Sequence, residues 1–245
     1  MAESLKQRIR NGEVIIGVSV PINADRKRAE AILSKDKYDY ITVDSQHSAF
    51  NEERLVSICA IAEELGVPVQ FRIKHTRQAY LIGNLLDLGP WGIEVPQVEL
   101  ESTVDEAINS FYYPQAGAHW PVGMRSNGGA ARYGLKGREG QFEYAEWWNK
   151  TGVLEMQLES VQATTNARKL AKLGVDLLSW GPTDLAFSLE GNPKHPFKTM
   201  DDCIRYVVEQ LQGTQVKVSL RSGTPDQRDK YTKMGVTVLL ERPQV

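Results

Sequence analysis

The chain has 245 residues, 41% of them hydrophobic, which suits one large domain whose core needs no covalent staples. Its 29 basic and 31 acidic side chains leave a formal charge of −2, without the basic excess of a nucleic-acid or anionic-membrane binder. Cys59 and Cys203 are too few for a metal cage or a disulfide framework. No apolar run reaches the length of a membrane span, and the opening MAESLKQRIRNGEV lacks the apolar core of a secretory signal. The expected location is the cytoplasm.

In chain order, β-branched runs predict strands over 14–20, 40–45, 67–72, 91–96, 153–159, 175–180, 216–220 and 236–240. Between them, apolar residues recurring near i, i+3, i+4 and i+7 predict helices over 26–35, 51–66, 76–89, 102–111, 161–174 and 201–213. Gly66, Gly89, Gly174, Gly213 and Gly235 stand where such helices would close before the next strand. Eight strands alternating with helices in this length is the grammar of a single (β/α)8 TIM barrel spanning 1–245, favoured over an open doubly wound sheet. Residues 112–140, rich in Gly, Pro and aromatics, read as a long ordered loop. The sequence stops at ERPQV, so the terminal eighth helix is expected to be absent and one flank of the barrel to be covered by another subunit.

In such a barrel the reacting groups sit at the C-terminal ends of the strands. The second strand runs out at Asp44-Ser45-Gln46-His47, the third at Arg72, the fifth at Gln157-Leu158-Glu159 and the sixth at Gly181-Pro182-Thr183-Asp184. Glu159 and Asp184, at successive strand ends, are candidate ligands for Mg2+ or Mn2+; singly, each would read as a salt bridge or a helix cap. His47 is a candidate general base that Asp44 could orient, or else a structural histidine. Arg72 could clamp a carboxylate or a developing oxyanion, or form an interior ion pair with Glu94 or Asp44. In VKVSLR the alternation turns Lys217 into the barrel, where a Schiff-base lysine could sit. His75, His119 and His195 read as loop residues, and Trp147 and Trp148 as packing. The NGG of 127–129 lacks the lysine of a phosphate loop.

The ordered set VDSQH (43–47), VQFR (69–72), LLDLG (85–89), VPQVE (95–99), MQLES (156–160), GPTDLA (181–186) and GNPKHP (191–196) resembles the class II pyruvate aldolases of the HpcH/HpaI type. The likeness runs from residue 4 to about 240. It implies a metal-dependent carbon–carbon lyase that reversibly cleaves a 4-hydroxy-2-oxo acid to pyruvate and an aldehyde. By the same resemblance, Glu159 and Asp184 hold Mg2+, Mn2+ or Co2+, His47 is the base, Asp87 raises its basicity from a neighbouring subunit, and Arg72 stabilises the transition state. Gln157, Gly181 and Thr183, with Arg72 and Asp184, would hold the pyruvate part, and Arg125 the aldehyde part. The resemblance also implies a homo-oligomer, usually a hexamer. Three alternatives stand beside it: a class I aldolase using Lys217, a non-catalytic oxo-acid-binding or assembly barrel, and a relative acting on CoA thioesters.

Overall fold

The computed structural model describes residues 3–114, 123–129 and 137–244. Its strands are β1 (Ile15–Ser19), β2 (Tyr40–Asp44), β3 (Val69–Arg72), β4 (Gly92–Val95), β5 (Val153–Leu158), β6 (Leu177–Trp180), β7 (Lys217–Gly223) and β8 (Val238–Glu241). All run parallel and pair in chain order, and β8 closes the ring by aligning Val238 to Glu241 with Ile15 to Val18 of β1. This is the expected (β/α)8 barrel, and its closure uses no helix after β8.

The helices are α1 (Leu5–Arg10), α2 (Arg26–Leu33), α3 (Glu52–Glu64), α4 (Ile82–Asp87), α5 (Glu101–Phe111), α6 (Gly137–Thr151), α7 (Val161–Thr165), α8 (Ala167–Leu170), α9 (Pro182–Gly191), α10 (Met200–Gln210) and α11 (Arg228–Lys233). Three departures from the predicted pattern have local causes. The segment read as a loop to residue 140 already turns helical at Gly137, where α6 starts; it buries Tyr144, Ala145 and Trp148 beside Phe111. The helix predicted over 161–174 is two pieces that meet at Asn166, a residue that prefers caps to helix interiors. Helix α9 escaped notice because it buries one apolar residue, Leu185, and so has almost no stripe. Among the described residues no helix is long and apolar enough to cross a membrane.

The interior of the barrel is layered. At the N-terminal mouth α1 lays Ile9 over Ile15, Tyr40, Val153, Leu177 and Val238, an apolar floor. Beside it Lys6, also buried, donates to Tyr112 Oη (2.8 Å) and the Gly152 carbonyl (2.7 Å), with Asp176 at 3.2 Å. Above the floor the filling turns polar: Gln70 donates to Glu155, and Glu94 faces Ser179 and Arg221. Burial, then the charge of Glu94, pushes the Glu155 carboxyl up to about 7.

Gly17 permits this filling, since a Cβ there would lie 2.3 Å from Tyr40 Cζ. Tyr40 is buried and has little room to yield. Gly17→Ala is therefore expected to destabilise by about 1–3 kcal/mol as overpacking. A melting experiment should read this as a loss of several degrees, at roughly 2–4 °C per kcal/mol for a chain of this size.

Candidate active site

At the C-terminal mouth a cavity of about 430 Å³ opens. His47, Arg72, Glu159, Gly181, Pro182, Thr183 and Asp184 line it, together with Ser19, Arg221, Glu241 and Arg242. Residues from seven of the eight strand ends thus meet in one space, as the barrel's geometry requires.

Arg72 is fixed before any ligand arrives. Asp44 lies beside it in the β2–β3 register and accepts from its Nε (2.8 Å) and Nη2 (2.5 Å), a bidentate pair. Its Nη1 donates to Gln157 Oε1 at 3.2 Å. Burial would push the Asp44 carboxyl up, but the guanidinium overrides it and holds it below the ordinary value. Asp44 is thus the partner of Arg72, a correction to its expected role in orienting His47. Gln157 is fully buried under Arg72 and does not line the cavity, although its Nε2 has no hydrogen-bond partner.

Glu159, just past β5, is buried, and no well-formed hydrogen bond reaches either carboxylate oxygen. Burial, then the negative charge of Asp184, pushes its carboxyl up to about 7, with Arg72 opposing. A Cβ on Gly181 would crowd Glu159 Oε1, so glycine there lets the carboxylate keep its place. Asp184 is not a helix cap. The N-cap of α9 is Gly181, Pro182 follows, and no side chain caps the helix, so its N-terminal backbone N–H groups open on the cavity. Glu159 and Asp184 stand as a pair; among the described residues no group of three or more His, Cys, Asp or Glu is placed to hold a metal ion.

His47 is exposed on the cavity wall. Asp87, at the end of α4, pairs instead with Arg125 Nη2 at 2.6 Å. Arg125 lies outside the cavity, its buried guanidinium against the rings of Tyr113 (4.8 Å) and Trp148 (4.6 Å), so within this chain neither Asp87 nor Arg125 joins the others. Lys217 opens β7 at the N-terminal end of the barrel, about 13 Å below the site at roughly 3.3 Å per residue counted to Arg221. His75 receives the Arg77 amide in a surface turn, and Trp148 is buried packing while Trp147 is half exposed. His119 lies outside the described residues. The sequence reading missed Arg221, Arg242 and Ser19. The alternation that turned Lys217 inward also turns Arg221 inward, at the catalytic end of the same strand.

The profile of the HpcH/HpaI aldolase/citrate lyase family matches residues 22–237. The chain belongs to that family. It is 29% identical over 198 residues to a hydroxypyruvate/pyruvate aldolase of Paraburkholderia phytofirmans, covering 78% of this chain and 73% of that one. A 2-dehydro-3,6-dideoxy-6-sulfogluconate aldolase of Pseudomonas putida is 27% identical over 218 residues, 87% and 80% of the two chains. In fold, this HpcH/HpaI enzyme is similar to an HpcH/HpaI aldolase from Desulfitobacterium hafniense, with a TM-score of 0.80 at 23% identity over 98% and 91% of the chains.

The state of Glu159 can be tested without a substrate. A carboxyl raised from 4.5 to about 7 by folding contributes stability that is full below pH 4.5 and lost as pH climbs through 7. Glu159→Gln should therefore melt above the wild type at pH 8 in chelator-treated protein, with a gain that shrinks towards pH 5. Equal melting temperatures at both pH values would mean that the carboxylate is solvated.

Proposed function

We propose that this HpcH/HpaI enzyme is a divalent-metal-dependent pyruvate aldolase that reversibly cleaves 4-hydroxy-2-oxo acids to pyruvate and an aldehyde. The single observation that carries the reading is the buried Glu159 carboxylate, lacking a partner and facing Asp184 across the cavity that Arg72 and His47 also line. Relatives named as hydroxypyruvate/pyruvate aldolases support the pyruvate half.

Two carboxylates with open space beside them suit a hard cation, Mg2+, Mn2+ or Co2+, that keeps positions free for a bidentate ligand. When bound, such a cation supplies Lewis-acid stabilisation of the charge that carbon–carbon cleavage leaves on the 2-oxo acid. The remaining work falls to the chain. The uncapped N-terminus of α9 takes the substrate carboxylate on backbone N–H groups. Arg72, immobilised by Asp44 and Gln157, holds the oxygen on which negative charge gathers, without having to reorganise. His47 takes the proton of the C4 hydroxyl. The C3–C4 bond breaks, its electron pair stays with the pyruvate half, and C4 departs as the aldehyde carbonyl. The reading includes a homo-oligomer, in which Asp87 would reach His47 from a neighbouring copy.

Proton exchange at the pyruvate methyl group, followed by NMR in heavy water, tests this with no assumption about the aldehyde. Exchange is expected with Mn2+ or Mg2+, lost in EDTA, and reduced at least about a hundredfold in Asp184→Asn, in line with removal of a transition-state electrostatic group. Exchange that survives EDTA would sink the metal-dependent reading. Lys217→Met should keep the exchange, and borohydride should trap no pyruvate adduct, since Lys217 opens β7 at the opposite end of the barrel.

A further inference from the structure

The groups that the proposed cleavage uses leave one anchored cation in the cavity without a task. Arg72 on β3, Glu159 after β5 and Asp184 after β6 gather at one side, with the N-terminus of α9. The opposite wall is built by the ends of β7, β8, β1 and β2, which bring Arg221, Glu241, Arg242, Ser19 and His47. Glu241 is buried and already gripped by Arg228 through Nε and Nη2, and Arg242 is exposed at the rim. In a closed ring of eight strands β7 stands directly across from β3, so Arg221 and Arg72 lie on opposite walls of the site.

The two arginines are built alike. In each, a carboxylate from another strand accepts from Nε and Nη2: Glu94 for Arg221, at 3.3 and 2.6 Å, and Asp44 for Arg72. Glu94 is buried and faces Ser179 Oγ at 3.4 Å, so Arg221 is held from beneath by a group that does not reach water. They differ at Nη1. In Arg72 it donates to Gln157, whereas for Arg221 it has no acceptor among the described residues, although the side chain lines the cavity. A guanidinium fixed along one edge and open at the other is a preorganised donor for a place where negative charge gathers. Cleavage moves such charge between two oxygens. It starts on the C4 oxygen as its proton leaves and ends on the C2 oxygen as the bond breaks, and Arg72 serves the second.

We propose that Arg221 is a further catalytic residue of the same reaction, donating from Nη1 to the C4 oxygen, and that Glu94 is the positioning residue that holds it there. The inference rests on the aldolase reading. In the cleavage direction His47 takes the C4 hydroxyl proton, the O–H electron pair becomes the second C–O bond of the aldehyde, and the C3–C4 pair passes to the pyruvate half. Arg221 stabilises the oxygen while it carries charge and keeps its own protons throughout. In the addition direction the same Nη1 polarises the aldehyde carbonyl and receives the alkoxide, which His47 then protonates. The contact involves the carbonyl oxygen alone, so it operates whatever the rest of the aldehyde carries.

The test sets two partial reactions against each other, with Mn2+ present. Proton exchange at the pyruvate methyl group makes and breaks bonds to hydrogen at C3 only. Addition of pyruvate to propanal needs the C4 oxygen, which is the one polar atom that aldehyde has. Arg221→Met is expected to lower kcat for addition by about a hundred- to a thousandfold, the worth of one preorganised donor. Exchange should fall by about tenfold or less, as for a charge acting from across the cavity. Arg221→Lys should recover part of the loss. Glu94→Gln should lower addition with the same selectivity and should add nothing when combined with Arg221→Met. That double variant leaves no buried ion unpaired, so it should fold and show the same split even where a single variant does not. Equal losses in both reactions, or undiminished addition in Arg221→Met, would overturn the inference, while wild-type exchange keeps the aldolase reading in place. Wild-type exchange without any addition to propanal would overturn it too, since the proposed contact asks nothing more of the aldehyde. No exchange under any metal overturns both readings.

Discussion

Eight strands that close on themselves enclose a space that side chains must fill, and the upper half of this one is filled by ion pairs. Arg72 pairs with Asp44 on the neighbouring strand, and Arg221 reaches across the interior to Glu94. Taking such charges out of water is costly, and buried pairs of this kind are weak as stabilisers. What they provide is position: each guanidinium is gripped along one edge by a carboxylate from another strand. The apolar floor under α1 makes that arrangement possible, because it seals the opposite mouth and leaves the polar layers one open end.

Glu159 is the exception within that scheme. It is buried like Glu94, yet no arginine donates a hydrogen bond to it, and the charge of Asp184 acts on it against that of Arg72. The fold maintains this arrangement through Gly181, whose missing side chain leaves the space that the carboxylate occupies. A native structure rarely leaves both oxygens of a buried carboxylate without partners unless a ligand completes them. The proposed cation would serve as that ligand, and it would offset both the burial and the charge of Asp184 that push the Glu159 carboxyl up.

His47 and Asp87 mark the boundary of what one chain supplies. His47 stands on the cavity wall in solvent, whereas Asp87 is engaged by Arg125 under the Tyr113 and Trp148 rings. The base in the proposed cleavage thus stands without the carboxylate that the family resemblance assigns to it. By contrast, Arg72, the group proposed to polarise the substrate, belongs to this chain's own strand β3.

Periodicity determined the barrel. Eight β-branched runs, spaced by amphipathic helices, leave a parallel sheet of this length few ways to bury both faces. The strand-end rule then pointed to His47, Arg72, Glu159, Gly181, Thr183 and Asp184, which do line one cavity. The same reasoning could not say who pairs with whom. Asp44 lies three residues from His47 in sequence, yet strand register carries it to Arg72, because neighbours across a sheet are set by hydrogen-bonded alignment and not by sequence distance. Arg125, which the resemblance assigned to the aldehyde part, is buried outside the cavity against Tyr113 and Trp148, while Arg221 had no assigned role until closure of the barrel brought it over Glu94. Sequence by itself marked most of the residues that reach the catalytic end of the barrel; tertiary structure decided their partners, because strand register and barrel closure, not distance along the chain, set which charges meet.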